Sequence, residues 1–168
     1  MNTNLVHKIT KSTDLAPLRE LTSGVIGETC WRASLSYGDE LTLHIGARIP
    51  YSQKSMFGQE KGAWILGTRG TAWRLDSPTE ILAGSKDDPE ILRQKIQAIE
   101  NTKITVLETS YPELALTVIF NNKFKLMLFP KAEEDSDLPF WEMFTPSQRV
   151  LKVGPDARFR LLAISSEL

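Results

Sequence analysis

Apolar and polar residues alternate with a period of two over two separate stretches of this chain. Leu35, Tyr37, Leu41, Leu43 and Ile45 alternate around Gly38-Asp39-Glu40, and Val118, Phe120, Phe124, Leu126 and Leu128 alternate around Asn121-Asn122-Lys123. Such alternation marks strands with one buried face, and both interruptions hold turn-forming residues, so each stretch predicts a β-hairpin. Keeping the apolar side chains together sets the register. In the first hairpin Tyr37 faces Leu41, Leu35 faces Leu43 and Ser34 faces His44; in the second Phe120 faces Phe124, Val118 faces Leu126 and Leu116 faces Leu128.

The pattern runs on similarly after each hairpin. The first is followed by a long loop, Trp64-Ile65-Leu66, a turn at 67–70 and Trp73-Arg74-Leu75. The second is followed by a shorter loop, Trp141-Glu142-Met143-Phe144, a turn at Pro146-Ser147 and Val150-Leu151-Lys152-Val153. Each hairpin is also preceded by a helical pattern. Asp88-Pro89-Glu90 is a helix start, Leu92, Ile96 and Ile99 share a face, and Asn101 is a stop. Earlier, Thr13 or Asp14 caps a helix carrying Leu15, Leu18 and Leu21, with Pro17 in its first turn and Gly24 at its end. The expectation is an α+β fold: two tandem copies of a helix plus antiparallel β-meander unit, packed as one domain over 1–168. Repeat 1 spans about 13–76, repeat 2 about 87–153, and a C-terminal strand covers about 157–164. Trp64 and Trp141 are expected at matching core positions, with the helices on one side of the sheet.

The stretch Leu35-Ser36-Tyr37-Gly38-Asp39-Glu40-Leu41, together with Gly46-Ala47-Arg48-Ile49-Pro50-Tyr51 and Lys61-Gly62-Ala63-Trp64, resembles small bacterial, notably cyanobacterial, proteins of unknown function. That resemblance covers most of the chain and implies no activity. The half-unit (strand, polar turn, strand, tryptophan strand) is also similar in outline to compact domains among bacterial immunity proteins.

Composition narrows the function classes. The 168 residues are 41% hydrophobic and 24% charged, a globular balance, and the net charge of -1 argues against a nucleic-acid binder that relies on bulk positive charge. The single cysteine, Cys30, excludes an intrachain disulfide or a multi-thiolate zinc site and fits a reducing compartment. No stretch approaches the roughly 20 apolar residues of a membrane helix, and the first ten residues lack a signal-peptide core, so a cytoplasmic protein that does not enter the membrane is expected.

Little in the sequence points to catalysis. A Ser34–His44 pair would need an orienting acid and a nucleophile elbow, neither of which is present. His7 and His44 belong to no metal-binding spacing, and the acidic run Glu133, Glu134, Asp135 and Asp137 lacks the form of a calcium loop. The turn Gly67-Thr68-Arg69-Gly70-Thr71 offers amides and an arginine to a phosphate but departs from the P-loop pattern. No catalytic residue, metal site or cofactor is therefore expected.

The two repeats differ in ways that suggest binding. The outer hairpin face carries Arg32, Ser34, Ser36, Thr42 and His44 in the first and Ala115, Ile119, Met127 and Phe129 in the second, where burial on both sides is expected. The first also has the longer loop, 46–62, with Arg48, Ile49, Tyr51, Met56 and Phe57, side-chain types enriched at interface cores. Folding of Ile49, Met56 and Phe57 back onto the core is the structural alternative. Residues 30–75 hold six Lys/Arg against three acids, and 131–142 hold one Lys against five acids, a dipolar distribution suited to steering a charged protein. The reading is a non-enzymatic protein-binding module, immunity- or antitoxin-like, that binds another protein or itself through Arg32, His44, Arg48, Tyr51, Met56, Phe57 and Arg69. The alternative is a small-molecule-binding or enzymatic domain, with Arg32, His44, Arg69 or Arg74 reaching into a pocket between the repeats.

Overall fold

The fold is that of a computed structural model, which describes residues 4–36, 38–52, 54–131 and 138–164. It contains β1 (Leu5–Lys8), α1 (Ala16–Thr22), β2 (Thr29–Ser36), β3 (Glu40–Pro50), β4 (Glu60–Gly67), β5 (Ala72–Asp76), β6 (Ile81–Gly84), α2 (Pro89–Lys95), β7 (Thr102–Thr109), β8 (Leu116–Phe120), β9 (Lys125–Phe129), β10 (Trp141–Phe144), β11 (Arg149–Val153) and β12 (Arg158–Ala163). All twelve strands join one antiparallel sheet in the order β1-β12-β11-β10-β4-β3-β2-β7-β8-β9-β5-β6.

This corrects the expected fold class. The protein is predominantly β, and among the described residues its two α-helices span only seven residues each. Each helix passes directly into a 3-10 turn, Ser23–Val25 or Ile96–Ile99, and Leu18, Val25, Leu92, Ile96 and Ile99 are buried along the two segments. Asp88 caps α2 as expected, its carboxylate accepting from the Glu90 amide at 2.9 Å. Left-handed φ values at Gly27 and Asn101 then turn the chain into β2 and β7.

The tandem arrangement is corrected as well. After β4 the chain crosses to pair β5 with β9, and after β9 it crosses back to pair β10 with β4. Trp64 and Trp141 therefore lie on neighbouring strands and are not counterparts. Read outward from the central β2–β7 pair, the hydrogen bonds instead match β2-β3-β4-β10-β11 with β7-β8-β9-β5-β6. The Gly27 amide donates to the Ile104 carbonyl at 2.7 Å, and the Asn101 amide to the Cys30 carbonyl at 2.6 Å. A bulge at Trp31 in β2 has its match at Thr105 in β7. The buried Trp73 indole donates to the Asp39 carbonyl in the β2–β3 turn, and the buried Trp141 indole to the Leu114 carbonyl between β7 and β8.

One hydrophobic cluster takes in Leu43, Leu66, Trp73, Val118, Leu126, Trp141 and Phe159. Strands far apart in the sheet order thus share a core, so the sheet is folded over on itself. Both helices contribute to it: α1 packs beside β7, and α2 beside β2 and β6. Burial of these side chains, at roughly 1.5–3 kcal/mol each, is the main stabilising term. The strand expected near 157–164 is β12.

The second hairpin has the register expected from alternation, with Leu116 opposite Leu128 and Val118 opposite Leu126. The first is shifted. Leu35 faces Leu41, Ala33 faces Leu43 and Arg32 faces His44, so Ser34 lies opposite Thr42. Apolar residues still share one face, because a two-residue slip preserves side-chain parity and a one-residue slip does not. Tyr37, on which the expected register turned, lies outside the described residues. The expected two-sided burial of β8–β9 also fails: Ile119 and Met127 are half-buried and Phe129 is 44% exposed.

Candidate functional site: the β3–β4 ribbon and its anchor

The expected loop 46–62 is largely a β-ribbon. Beyond Ile45, β3 and β4 continue to pair as Arg48 with Gly62, Ile49 with Lys61 and Pro50 with Glu60, after a register shift. Left-handed Gly46 (φ 83) makes that shift possible. The Tyr51 amide closes the ribbon onto the Gln59 carbonyl at 3.1 Å, and a 3-10 turn, Lys54–Met56, forms the tip. Phe57 is 91% exposed there, so it does not fold back to cap the core. Ile49 is also exposed, Met56 is half-buried, and the Lys61 ammonium lies 5.5 Å from the centre of the Tyr51 ring.

The base of the ribbon is anchored by His44. The shift leaves the Gly62 amide without its regular cross-strand acceptor, and His44 Nδ1 accepts it at 3.0 Å. The imidazole is thereby the neutral tautomer with its proton on Nε2. The ring is only 7% exposed, and burial, followed by the charge of Arg32, pushes its pKa down to about 4. Gly62 admits no side chain, since a Cβ would lie 2.4 Å from the Ile45 nitrogen and 2.6 Å from the Trp64 carbonyl oxygen.

Trp31 completes this anchor. Its ring stands 5.4 Å from that of His44, and the Arg48 guanidinium lies over it at 4.3 Å from the centroid. Its buried indole N–H has no hydrogen-bond partner among the described residues. The expected site residues Arg32, His44 and Arg48 are therefore brought together, through a tryptophan that alternation alone does not single out. Its bulge is the feature that turns it toward His44. Tyr51, Met56 and Phe57 lie farther out on the ribbon.

Arg69 belongs elsewhere. With a left-handed φ of 52, it sets its guanidinium 3.5 Å from carboxylate oxygens of both Glu40 and Glu142, bracing β3 against β10. Burial raises the Glu142 carboxyl above its usual range, and Arg69 and Lys152 oppose that rise. Two carboxylates beside Arg69 make its turn a poor phosphate receptor. Thr68, next to it, is buried and accepts the Leu41 amide at 2.9 Å.

Ser34 and His44 do not form a nucleophile–base pair, because Ser34 lies two residue pairs along the hairpin from His44 and His44 Nδ1 is already an acceptor. Cys30 is buried, and desolvation, with Glu100 second, pushes its thiol up to about 12. Among the described residues no group of three or more His, Cys, Asp or Glu could hold a metal ion, and no helix is long and apolar enough to cross a membrane. The acidic run 133–137 lies outside the described residues.

A cleft of about 330 Å³ opens where the two crossing connections meet, lined among others by Asp39, Thr71, Lys86, Phe129, Lys131 and Phe140. Arg32, His44, Arg69 and Arg74, expected around a pocket between the repeats, do not line it. Compared with models of protein families, with curated proteins and with solved structures, the chain matches none.

Proposed function

We propose that the protein is a non-enzymatic protein-binding module, of the kind immunity proteins and antitoxins provide, and that the β3–β4 ribbon is its contact element. The observation that carries this reading is the placement of Phe57, 91% exposed at the tip of a ribbon whose base is fixed by Trp31, His44 and Arg48. A bare aromatic in water is unfavourable in isolation, and held on a preorganised support it loses little entropy on binding. Arg48, Lys54 and Lys61 outnumber Glu60 along the ribbon, which favours an acidic partner surface.

The test shortens β3–β4 to the length of the Asn121-Asn122-Lys123 turn of β8–β9, with Phe57→Ala and Arg48→Glu as point variants. Partners captured by the full chain should be lost by all three and retained by Lys95→Glu, on the exposed side of α2. Equal capture by every variant excludes the ribbon as the contact element.

A further inference from the structure

The base of the ribbon carries donors that the fold itself does not use. His44 Nδ1 accepts the Gly62 amide, which leaves the Nε2 proton with no acceptor among the described residues. The buried indole N–H of Trp31, on the neighbouring ring, is unpartnered as well. Arg32 and Arg48 are exposed, and neither is in an ion pair among the described residues. A buried donor without an acceptor carries the cost of its lost hydration, so the site gains when an acceptor arrives.

These four side chains form a continuous set. Arg32 stands opposite His44 in the β2–β3 register, and its charge acts on the imidazole. The His44 and Trp31 rings lie 5.4 Å apart, and the Arg48 guanidinium is 4.3 Å from the Trp31 centroid. A guanidinium held by a ring still offers N–H groups that match both oxygens of a carboxylate. Glu28 sets a carboxylate beside Gly46 but pairs with neither arginine. Lys131 and Leu138, which bracket the acidic run, border Asp39 and Thr71 at the other end of β3 and β4. We infer that this anchor receives a carboxylate of the partner, an aspartate or glutamate side chain seated between Arg32 and Arg48 and accepting the His44 Nε2 proton, a reading that rests on the ribbon as contact element. Phe57 then supplies apolar contact at the tip, and the carboxylate supplies charge pairing at the base.

The experiment is an NMR titration of the full chain near neutral pH, where the His44 imidazole is uncharged. The probe is triglutamate, acetylated and amidated at its ends, run beside triglutamine blocked in the same way. Triglutamate should shift the Trp31 indole and His44 ring signals saturably, and triglutamine should need about tenfold more. Arg32→Gln and Arg48→Gln should each weaken triglutamate several-fold, and Arg93→Gln, on the exposed side of α2, should leave it unchanged. Because Arg48 also touches Trp31, Arg32→Gln is the cleaner probe, removing a cation and no ring contact. Phe57→Ala should leave triglutamate binding intact while it lowers partner capture. Loss of capture in that variant, with no peptide binding by the full chain, sinks the carboxylate receptor and spares the ribbon. Non-saturating shifts, equal binding of triglutamine, or full affinity in the Arg32→Gln, Arg48→Gln double variant would overturn the assignment.

Discussion

The blocks β2-β3-β4 and β7-β8-β9 agree on their inner faces and diverge on their outer ones. Inside, Cys30, Leu43, Ile45 and Leu66 stand where Ile104, Val118, Phe120 and Leu126 stand in the other block, all fully buried. Outside, Arg32 paired with His44 has its match in Val106 paired with Ile119. The bulged Trp31 has its match in Thr105, whose hydroxyl donates to the Ile119 carbonyl at 3.1 Å. The β3–β4 connection is a protruding ribbon, and the β8–β9 connection is the short turn Asn121-Asn122-Lys123. Close packing constrains the inner face, where a methylene too many or too few is felt, and leaves the outer face free to carry different chemistry.

Four measurements would sharpen or break that contrast. The largest effect is expected from Gly62→Ala, which forces a Cβ against backbone and not against a yielding side chain. It should cost roughly 4 kcal/mol in urea unfolding, because only movement of β3 or β4 relieves the overlap. A change within about 0.5 kcal/mol would show that the ribbon base is not packed as described.

Acid comes next. Unfolded, His44 takes up a proton near pH 6.5; folded, only near pH 4. Between those values the unfolded chain binds more protons, so stability should fall as pH drops from about 6.5 and level off below about 4, by roughly 3 kcal/mol in all. Glu142 works the other way: its folded carboxyl is protonated more readily than the unfolded one, so acid partly offsets the loss. NMR titration of the His44 ring separates the two, and a pKa near 6.5 would mean that the imidazole is not buried.

The matched tryptophans test the shared framework. Trp141→Phe leaves the buried Leu114 carbonyl without its donor and should cost about 2 kcal/mol. Trp73→Phe leaves the Asp39 carbonyl, in an exposed turn that water can reach, and should cost about 1 kcal/mol. The reverse order in thermal unfolding would show that burial does not set the difference. The smallest effect belongs to replacing only the ribbon tip, residues 51–59, by a short turn, which leaves Arg48, His44 and Gly62 in place. With Phe57 already in water, stability should change by less than about 1 kcal/mol by the same unfolding assay. A larger loss would make the ribbon part of the core structure.

Much of the strand content was legible in the alternation, and in β8–β9 even the register, because Val118, Phe120, Leu126 and Leu128 have one consistent way to share a face. The start of α2 was legible in Asp88-Pro89-Glu90 for a local reason, the cap that its carboxylate makes. Of the candidate site, Phe57 and Arg48 stood out as costly residues to leave on a surface. Trp31 did not, since a strand tryptophan usually packs inward, and only a bulge turns this one toward His44.

By itself, then, the sequence determined what is decided over a few residues: where strands and turns fall, which face is apolar, and where α2 begins. Partner choice between strands was decided only by the tertiary structure. An exposed row of amides and carbonyls pairs equally well with any antiparallel neighbour, so nothing local told β5 to join β9 or β10 to join β4. The shared core made that choice: the crossed pairing brings both Trp73 and Trp141 into it, each indole meeting a carbonyl in the turn it covers.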